Sequence, residues 1–126
     1  MVNISHRINE KNNVVYVTVA GRLSGEDMIR YSTTIILDPA HRPGMDFITD
    51  ISEAEIDPSF EMLVGFHNHL KAYESKLGRF RSAFIVGDHN NRKAVELYRS
   101  LSALSNGHVV DIFEAREEVE KWINSK

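Results

Sequence analysis

The chain has 126 residues, of which 42% are hydrophobic and 26% are charged, a composition typical of one soluble globular domain over residues 1–126. A net charge of −3 argues against a general attraction to nucleic acid or anionic lipid. The absence of cysteine excludes disulfides and thiolate metal sites and fits a cytoplasmic protein. We expect no signal peptide and no membrane span, because no apolar run is long enough and no basic segment precedes one.

The first third of the chain predicts a hairpin followed by a helix. Apolar and polar residues alternate over residues 2–8, which indicates a half-buried strand. Residues 14–20 are β-branched and aromatic and predict a second strand, which we expect to stop at Gly21. Ser24 followed by Asp27 is typical of a helix N-cap with an acidic third residue, and helical spacing of apolar residues follows.

The middle third predicts a strand, a helix and another strand. Residues 45–51 read as the third strand. Asp57 suits the N-cap of the next helix and Pro58 its first turn, where the missing N–H is not needed. We expect that helix to end at Gly78. The apolar run over residues 83–86 is typical of a central strand covered on both faces.

The last third predicts a helix capped by Asp88 or Asn90, a strand over residues 109–113, and a final helix that buries Val119 and Trp122. The predicted order is therefore ββαβαβαβα. Strands that alternate with helices favour right-handed crossovers between parallel strands. The predicted fold class is α/β, with a five-stranded mixed sheet that begins with an N-terminal hairpin.

Several short motifs resemble those of one family of bacterial signalling domains. The element order, with Gly-Arg-Leu at positions 21–23 after strand two, resembles the STAS superfamily. A closer resemblance is to its SpoIIAA-like group of small bacterial proteins. The motifs that carry it are Phe-Ile-Thr-Asp at 47–50, Ala-Phe-Ile-Val-Gly at 83–87, the Leu-Tyr helix over 94–104, and the segment from Ile-Phe-Glu to Trp-Ile over 112–123.

This resemblance implies a SpoIIAA-like fold that is shared with CRAL-TRIO lipid-transfer domains. It also implies that a serine near the start of the helix after strand three is a phospho-acceptor. In this chain the matching residue is Ser59, and Ser52 is the alternative acceptor on the preceding loop. The family signature is close to Asp-Ser-Ser-Gly, and the chain departs from it at Pro58 and Phe60. The plainer interpretation is that this stretch only starts a helix well.

A candidate ligand crevice lies at the carboxyl edge of the predicted sheet. Asp50, Asp57, Gly87 and Asp88 follow or close strands three and four, and open α/β sheets keep ligands at that edge. These residues offer carboxylates without an evident base and nucleophile, so we expect no catalytic residues and no cofactor. They are also ordinary caps and turn-formers. We likewise expect no metal site, because no His-x-x-x-His pair is present.

The second helix carries an additional stripe of side chains beside its predicted core face. The stripe consists of Met62, Phe66, His69 and Tyr73. It is either packed within the fold or exposed as an interaction face for a protein partner or a second copy of the chain. Helical periodicity does not separate these alternatives.

Three functions are compatible with the sequence. The first is a non-enzymatic regulatory or protein-interaction domain, since the resemblance spans the chain without a catalytic constellation. The second is a carrier for a small apolar ligand or lipid, of the CRAL-TRIO type. The third is an enzyme that uses Asp50, Ser52 and Asp88, which has the weakest support because no general base is evident.

Overall fold

The computed structural model describes residues 2–56, 60–87, 89–103 and 108–124. The predicted α/β order is confirmed, with one short extra helix after the second. In chain order the elements are β1 (Asn3–Asn9), β2 (Val14–Leu23), α1 (Gly25–Ile36), β3 (Asp46–Ile56), α2 (Phe60–Ala72), α3 (Glu74–Leu77), β4 (Phe80–Ile85), α4 (His89–Ser102), β5 (His108–Phe113) and α5 (Arg116–Ile123).

The five strands form one sheet in the order β1-β2-β3-β4-β5. β1 and β2 are antiparallel, and each later neighbour is parallel to the one before it. The mixed sheet with an N-terminal hairpin is thus confirmed. Parallel neighbours need a crossover, which α1, α2 with α3, and α4 supply in turn.

The two faces of the sheet are covered unequally. Successive side chains of a strand point to opposite faces, so Val14 and Val15 belong to different cores. Val15 lies in a large cluster with buried residues of α1, α2 and α4, and we call this side the three-helix face. Val14 lies in a smaller cluster with Val119 of α5, on the side that we call the α5 face.

A buried ion pair anchors α5 to its face. Asp46 is 1% exposed and accepts hydrogen bonds from Arg81 Nε at 3.1 Å and Nη2 at 2.9 Å. The Arg81 guanidinium also lies 4.1 Å from the centre of the Trp122 ring and donates to the Trp122 carbonyl at 3.1 Å. The indole N–H of Trp122 in turn donates to Asp111. One arginine therefore joins β3, β4 and α5.

The start of α1 agrees with the prediction. Asp27 N donates to Ser24 Oγ at 3.1 Å, and Ser24 N donates to Asp27 Oδ2 at 3.2 Å, which is a complete capping box. The edge strand β1 is tied to the same helix through His6. Its Nδ1 lies 2.8 Å from the Tyr31 hydroxyl, and its Nε2 lies 3.0 Å from Asp38 Oδ2.

The predicted ends of strands two and three were wrong. β2 continues through Gly21 to Leu23, and β3 continues to Ile56. The two strands stay paired from Ala20 opposite Glu53 to Leu23 opposite Ile56, after a shift in register between Thr18 and Ala20. Gly21 has a positive φ of 87°, yet it does not end the strand, because it stays paired with Ala54 of β3.

The second predicted helix is interrupted before Gly78. α2 ends at Ala72 in a tight turn, in which Tyr73 N donates to Leu70 O at 3.0 Å, and α3 follows. The interruption lets Leu77 turn inward, where it is 3% exposed and packs with Ile36 in a third apolar cluster.

Candidate functional site

The structure brings together three of the sequence-predicted residues at the end of β4. Asp50 lies opposite Ile85, the last residue of β4, while β2 and β3 continue as a two-stranded ribbon. The sequence suggested that Asp50 closes strand three, and that prediction was wrong, because β3 continues to Ile56. Asp50 instead marks the point where the pairing of β3 with β4 ends. Ser52 and Gly87 are in contact beside it, and we call this place the β4 corner.

Asp50 is held by two neighbours within the β4 corner. Ser52 donates from its hydroxyl at 2.6 Å and from its backbone N at 3.0 Å to Asp50 Oδ1. Arg116 at the start of α5 donates to Asp50 Oδ2 at 3.1 Å. The carboxylate thus links the ribbon to α5.

These contacts determine the protonation of Asp50. Burial alone would raise the pKa of its carboxyl, but the hydrogen bonds from Ser52 and the ion pair with Arg116 outweigh burial, and the pKa is lowered. A carboxylate with a lowered pKa is a poor general base. The Ser52 hydroxyl already donates to Asp50, and a phosphoryl group added there would lie beside a like charge.

Gly87 is required at the β4 corner by close packing. A Cβ at this position would lie 2.9 Å from Ser52 Cβ and 3.0 Å from both Ser52 Cα and Ser52 O. Asn91 reinforces the same junction from α4. Its side chain is 2% exposed, and its amide donates to the carbonyls of Ile51 and Ala54, each at 2.9 Å. The backbone of β3 is therefore clamped between Gly87 and Asn91.

We expect Gly87→Ala to lower the free energy of unfolding by about 1–3 kcal/mol, because the added methyl meets backbone atoms that must move. Gly65→Ala is the matched control, since Gly65 is an exposed residue of α2 and an added methyl would enter open space there. That control is expected to gain about 0.5–1 kcal/mol from helix propensity. Urea denaturation of both variants measures the difference, and equal effects would contradict the close packing.

Other predicted site residues lie outside the described residues. These are Asp57, Ser59 and Asp88. The crevice formed by Asp50, Asp57, Gly87 and Asp88 and the assignment of Ser59 as a phospho-acceptor therefore stay predictions.

The additional stripe of α2 is half-buried along its whole length. Met62 packs against the large core cluster, and the Phe66 ring centre lies 5.5 Å from that of Tyr98. His69 Nε2 is 2.8 Å from Thr33 Oγ1 of α1, and the Tyr73 ring is 5.2 Å from that of His69. These four side chains contact other parts of the same chain, which favours the packed alternative. Their role as an interaction face stays a prediction.

An apolar cavity lies between the sheet and the three helices that cover it. Its volume is about 140 Å³, and its walls come from β1 to β4 and from α1 to α4. Thr49 and Phe84 belong to the inner strands β3 and β4 and line this cavity, yet they are only half-buried. The helices therefore do not fill the space above the middle of the sheet. The sequence offered a carrier for a small apolar ligand as an alternative but did not locate the cavity, because its walls come from elements that are far apart in the chain.

A solved structure resembles the chain over nearly its whole length. It is an uncharacterized protein of the DUF3478 family with a SpoIIAA-like fold, from Shewanella loihica PV-4. The likeness covers 97% of this chain and 93% of that one, with a TM-score of 0.61 and 18% sequence identity. The chain has the SpoIIAA-like fold. The sequence matches no known protein-family model, and no curated protein is significantly similar.

The α5 face of the SpoIIAA-like sheet carries a polar groove of about 570 Å³. Its floor includes Arg7 and Tyr16, and the Arg7 guanidinium lies 4.6 Å from the centre of the Tyr16 ring. Arg116 and Glu120 of α5 and Asp50 of the β4 corner also line it. The groove is thus continuous with the ion pair between Asp50 and Arg116.

Neither a cluster of metal ligands nor a membrane-spanning helix occurs in the described part of this SpoIIAA-like chain. In residues 2–56, 60–87, 89–103 and 108–124, no three His, Asp or Glu side chains converge as metal ligands would. Within the same ranges, no helix combines the length and apolar character needed to cross a bilayer.

Proposed function

We propose that this SpoIIAA-like domain is a non-enzymatic binding protein for a small apolar molecule. The observation that carries the proposal is the apolar cavity of about 140 Å³ on the three-helix face. Well-packed interiors contain few voids larger than a water molecule, so a cavity of this size forfeits contacts that a bound molecule restores. The predicted carrier function of the CRAL-TRIO type thereby gains a physical basis.

The position of the cavity supports a binding role. It lies over the middle of the sheet, where half-buried Thr49 and Phe84 form its floor. If the space were only a packing defect, moving a helix inward would stabilise the folded protein, because apolar contacts would then be gained. α1 is instead held at its position by polar contacts, from Tyr31 to His6 and from Thr33 to His69.

The non-enzymatic part of the proposal rests on the β4 corner. Asp50 has a lowered pKa and is engaged by Ser52 and Arg116, so it is unsuited to accept a proton from a substrate. The remaining residue of the predicted catalytic set, Asp88, lies outside the described residues.

The proposal is tested by looking for a bound molecule in freshly purified protein. Native mass spectrometry is expected to show an adduct that is released on denaturation and extracted into organic solvent. Protein stripped of that adduct is expected to regain thermal stability when apolar compounds are added, since a ligand that binds only the folded state stabilises it. If no adduct is found, and no compound in a panel of charged and uncharged apolar molecules raises the melting temperature, the proposal fails.

A regulatory or protein-interaction role is the second candidate, and the polar groove on the α5 face supports it. The groove joins Arg7 to the ion pair of Arg116 with Asp50, so a partner there would act directly on the β4 corner.

Phe66→Asp is a poor test, because Phe66 lines the cavity and packs on Tyr98. Arg7→Glu is the sharper variant, and exposed Lys93→Glu on α4 is its control. If crosslinked complexes are equally abundant in both variants, the groove is not the binding site for a protein partner.

A further inference from the structure

We infer that the ligand of the apolar cavity is an uncharged molecule about the size of a single ring, and not a fatty acid or a phospholipid. This inference rests on the proposed function and narrows it to one class of compound. Four features of the cavity carry it: the absence of charged residues from its described lining, the engagement of three of its hydroxyl groups, its volume and its aromatic walls.

The lining of the cavity carries no charge. Among the residues that the structure describes, its walls include no Asp, Glu, Lys, Arg or His. An isolated charge taken from water into such a space costs several kcal/mol unless it is paired. A carboxylate, phosphate or ammonium group would find no partner there, so the ligand inside must be neutral.

Three of the hydroxyl groups in the walls, those of Ser32, Tyr31 and Ser82, are already engaged by the protein. Ser32 Oγ donates to the Ile29 carbonyl at 3.0 Å, and the Tyr31 hydroxyl is 2.8 Å from His6 Nδ1. Ser82 Oγ lies 3.2 Å from His108 Nε2. A ligand with several polar atoms would lose its own hydrogen bonds to water without recovering them.

The volume limits the ligand to a single ring or a compact hydrocarbon. The cavity measures about 140 Å³. In another protein, an engineered apolar cavity of about 150 Å³ stays dry and binds benzene or xenon. A second ring or a long acyl chain would exceed that space and force the surrounding side chains from their rotamers.

Aromatic side chains surround the space and favour a flat guest. Six of the described lining residues are aromatic and come from α1, α2, α4 or the sheet: Tyr31, Phe47, Phe66, Phe80, Phe84 and Tyr98. Aromatic rings attract one another in offset or edge-to-face arrangements beyond what buried area provides. A small aromatic ring is therefore expected to bind more tightly than an aliphatic molecule of equal volume.

Titration with toluene and with octanoate, followed by amide NMR, separates the classes of ligand. Toluene is expected to shift amides around Thr49, Phe84 and Tyr98 in a saturable way, whereas octanoate leaves them unchanged. Two filling variants, Ala94→Leu and Ser32→Leu, are expected to weaken toluene binding by more than about tenfold. The new leucine side chains enter the cavity from α4 and from α1, so one variant remains informative if the other does not fold.

Each filling variant has a matched control on the surface. Ala72→Leu repeats the first exchange at an exposed residue of α2. Ser100→Leu repeats the second at an exposed serine whose hydroxyl also bonds a carbonyl of its own helix. Neither control is expected to alter toluene binding. If octanoate binds, is lost in the filling variants, and outcompetes toluene, the neutral class is wrong and the proposed function stands. If neither toluene nor octanoate binds, both the neutral class of ligand and the proposed function are wrong.

Discussion

Arg81→Ala is expected to lower the free energy of unfolding by about 3–5 kcal/mol, because it removes the guanidinium that forms the ion pair with the buried Asp46 carboxylate. Asp46 is 1% exposed and takes two hydrogen bonds from the Arg81 guanidinium. The same exchange removes the cation that lies over Trp122, so α5 loses part of its anchor. Chemical denaturation measured by far-UV circular dichroism checks the stability. Near-UV circular dichroism of Trp122 reports the loosening of α5.

The exposed ion pair between Arg22 and Glu55 provides the control. Its side chains are 81% and 74% exposed, so water screens the attraction. Arg22→Ala is expected to change the free energy of unfolding by less than about 0.5 kcal/mol.

Combining Arg81→Met with Asp46→Leu is expected to recover much of the stability that Arg81→Ala loses, since a well-packed apolar pair replaces the charges. Similar effects of Arg81→Ala and Arg22→Ala would contradict the assigned role of the buried pair.

Acidification is expected to destabilise the fold through His108 by about 3 kcal/mol between pH 6.5 and pH 4. Burial, with a smaller contribution from the nearby His67, lowers the pKa of His108 from 6.5 to about 4. Above pH 6.5 the imidazole is neutral in both the folded and the unfolded state. Below pH 6.5 His108 binds a proton in the unfolded state but not in the folded state. The free energy of unfolding therefore falls until about pH 4 and then levels off.

His108→Gln isolates this contribution from those of other groups. Glutamine does not titrate and keeps a hydrogen-bonding group near Ser82, which lies 3.2 Å from the native imidazole. Burial also lowers the pKa of His41 and that of His67, so both retain an acid sensitivity of the same sign in the variant. The unfolding free energy of the wild-type protein minus that of the variant is expected to fall from pH 7 to pH 4. A difference that stays constant with pH would show that His108 is not the group responsible.

Local patterns sufficed for the order of the strands and main helices and for the start of α1. The capping box at Ser24 and Asp27 forms as predicted, because it depends on residues three apart in one turn. The alternation in β1 and the apolar run of β4 indicated how many faces of each strand are covered. The resemblance to SpoIIAA-like proteins then led to the fold that the solved structure supports.

The candidate site was less accessible to sequence reasoning. Asp50, Ser52 and Gly87 do meet at the β4 corner, because β4 ends opposite Asp50 while β3 continues. Their contact with Arg116 was not predicted, because it joins residues that lie 66 positions apart. The close approach of Gly87 to the Ser52 backbone likewise depends on how two strands are spaced, which neither segment encodes separately.

The sequence by itself determined the order of strands and helices, the capped start of α1 and the apolar faces that must be buried. These properties depend on periodicity and on interactions within one or two turns. Only the tertiary structure decided how far β2 and β3 run, where the stripe of α2 packs, and that a cavity remains above Thr49 and Phe84. The physical reason is that strand length depends on a partner strand and cavity volume on how side chains from several elements fit together.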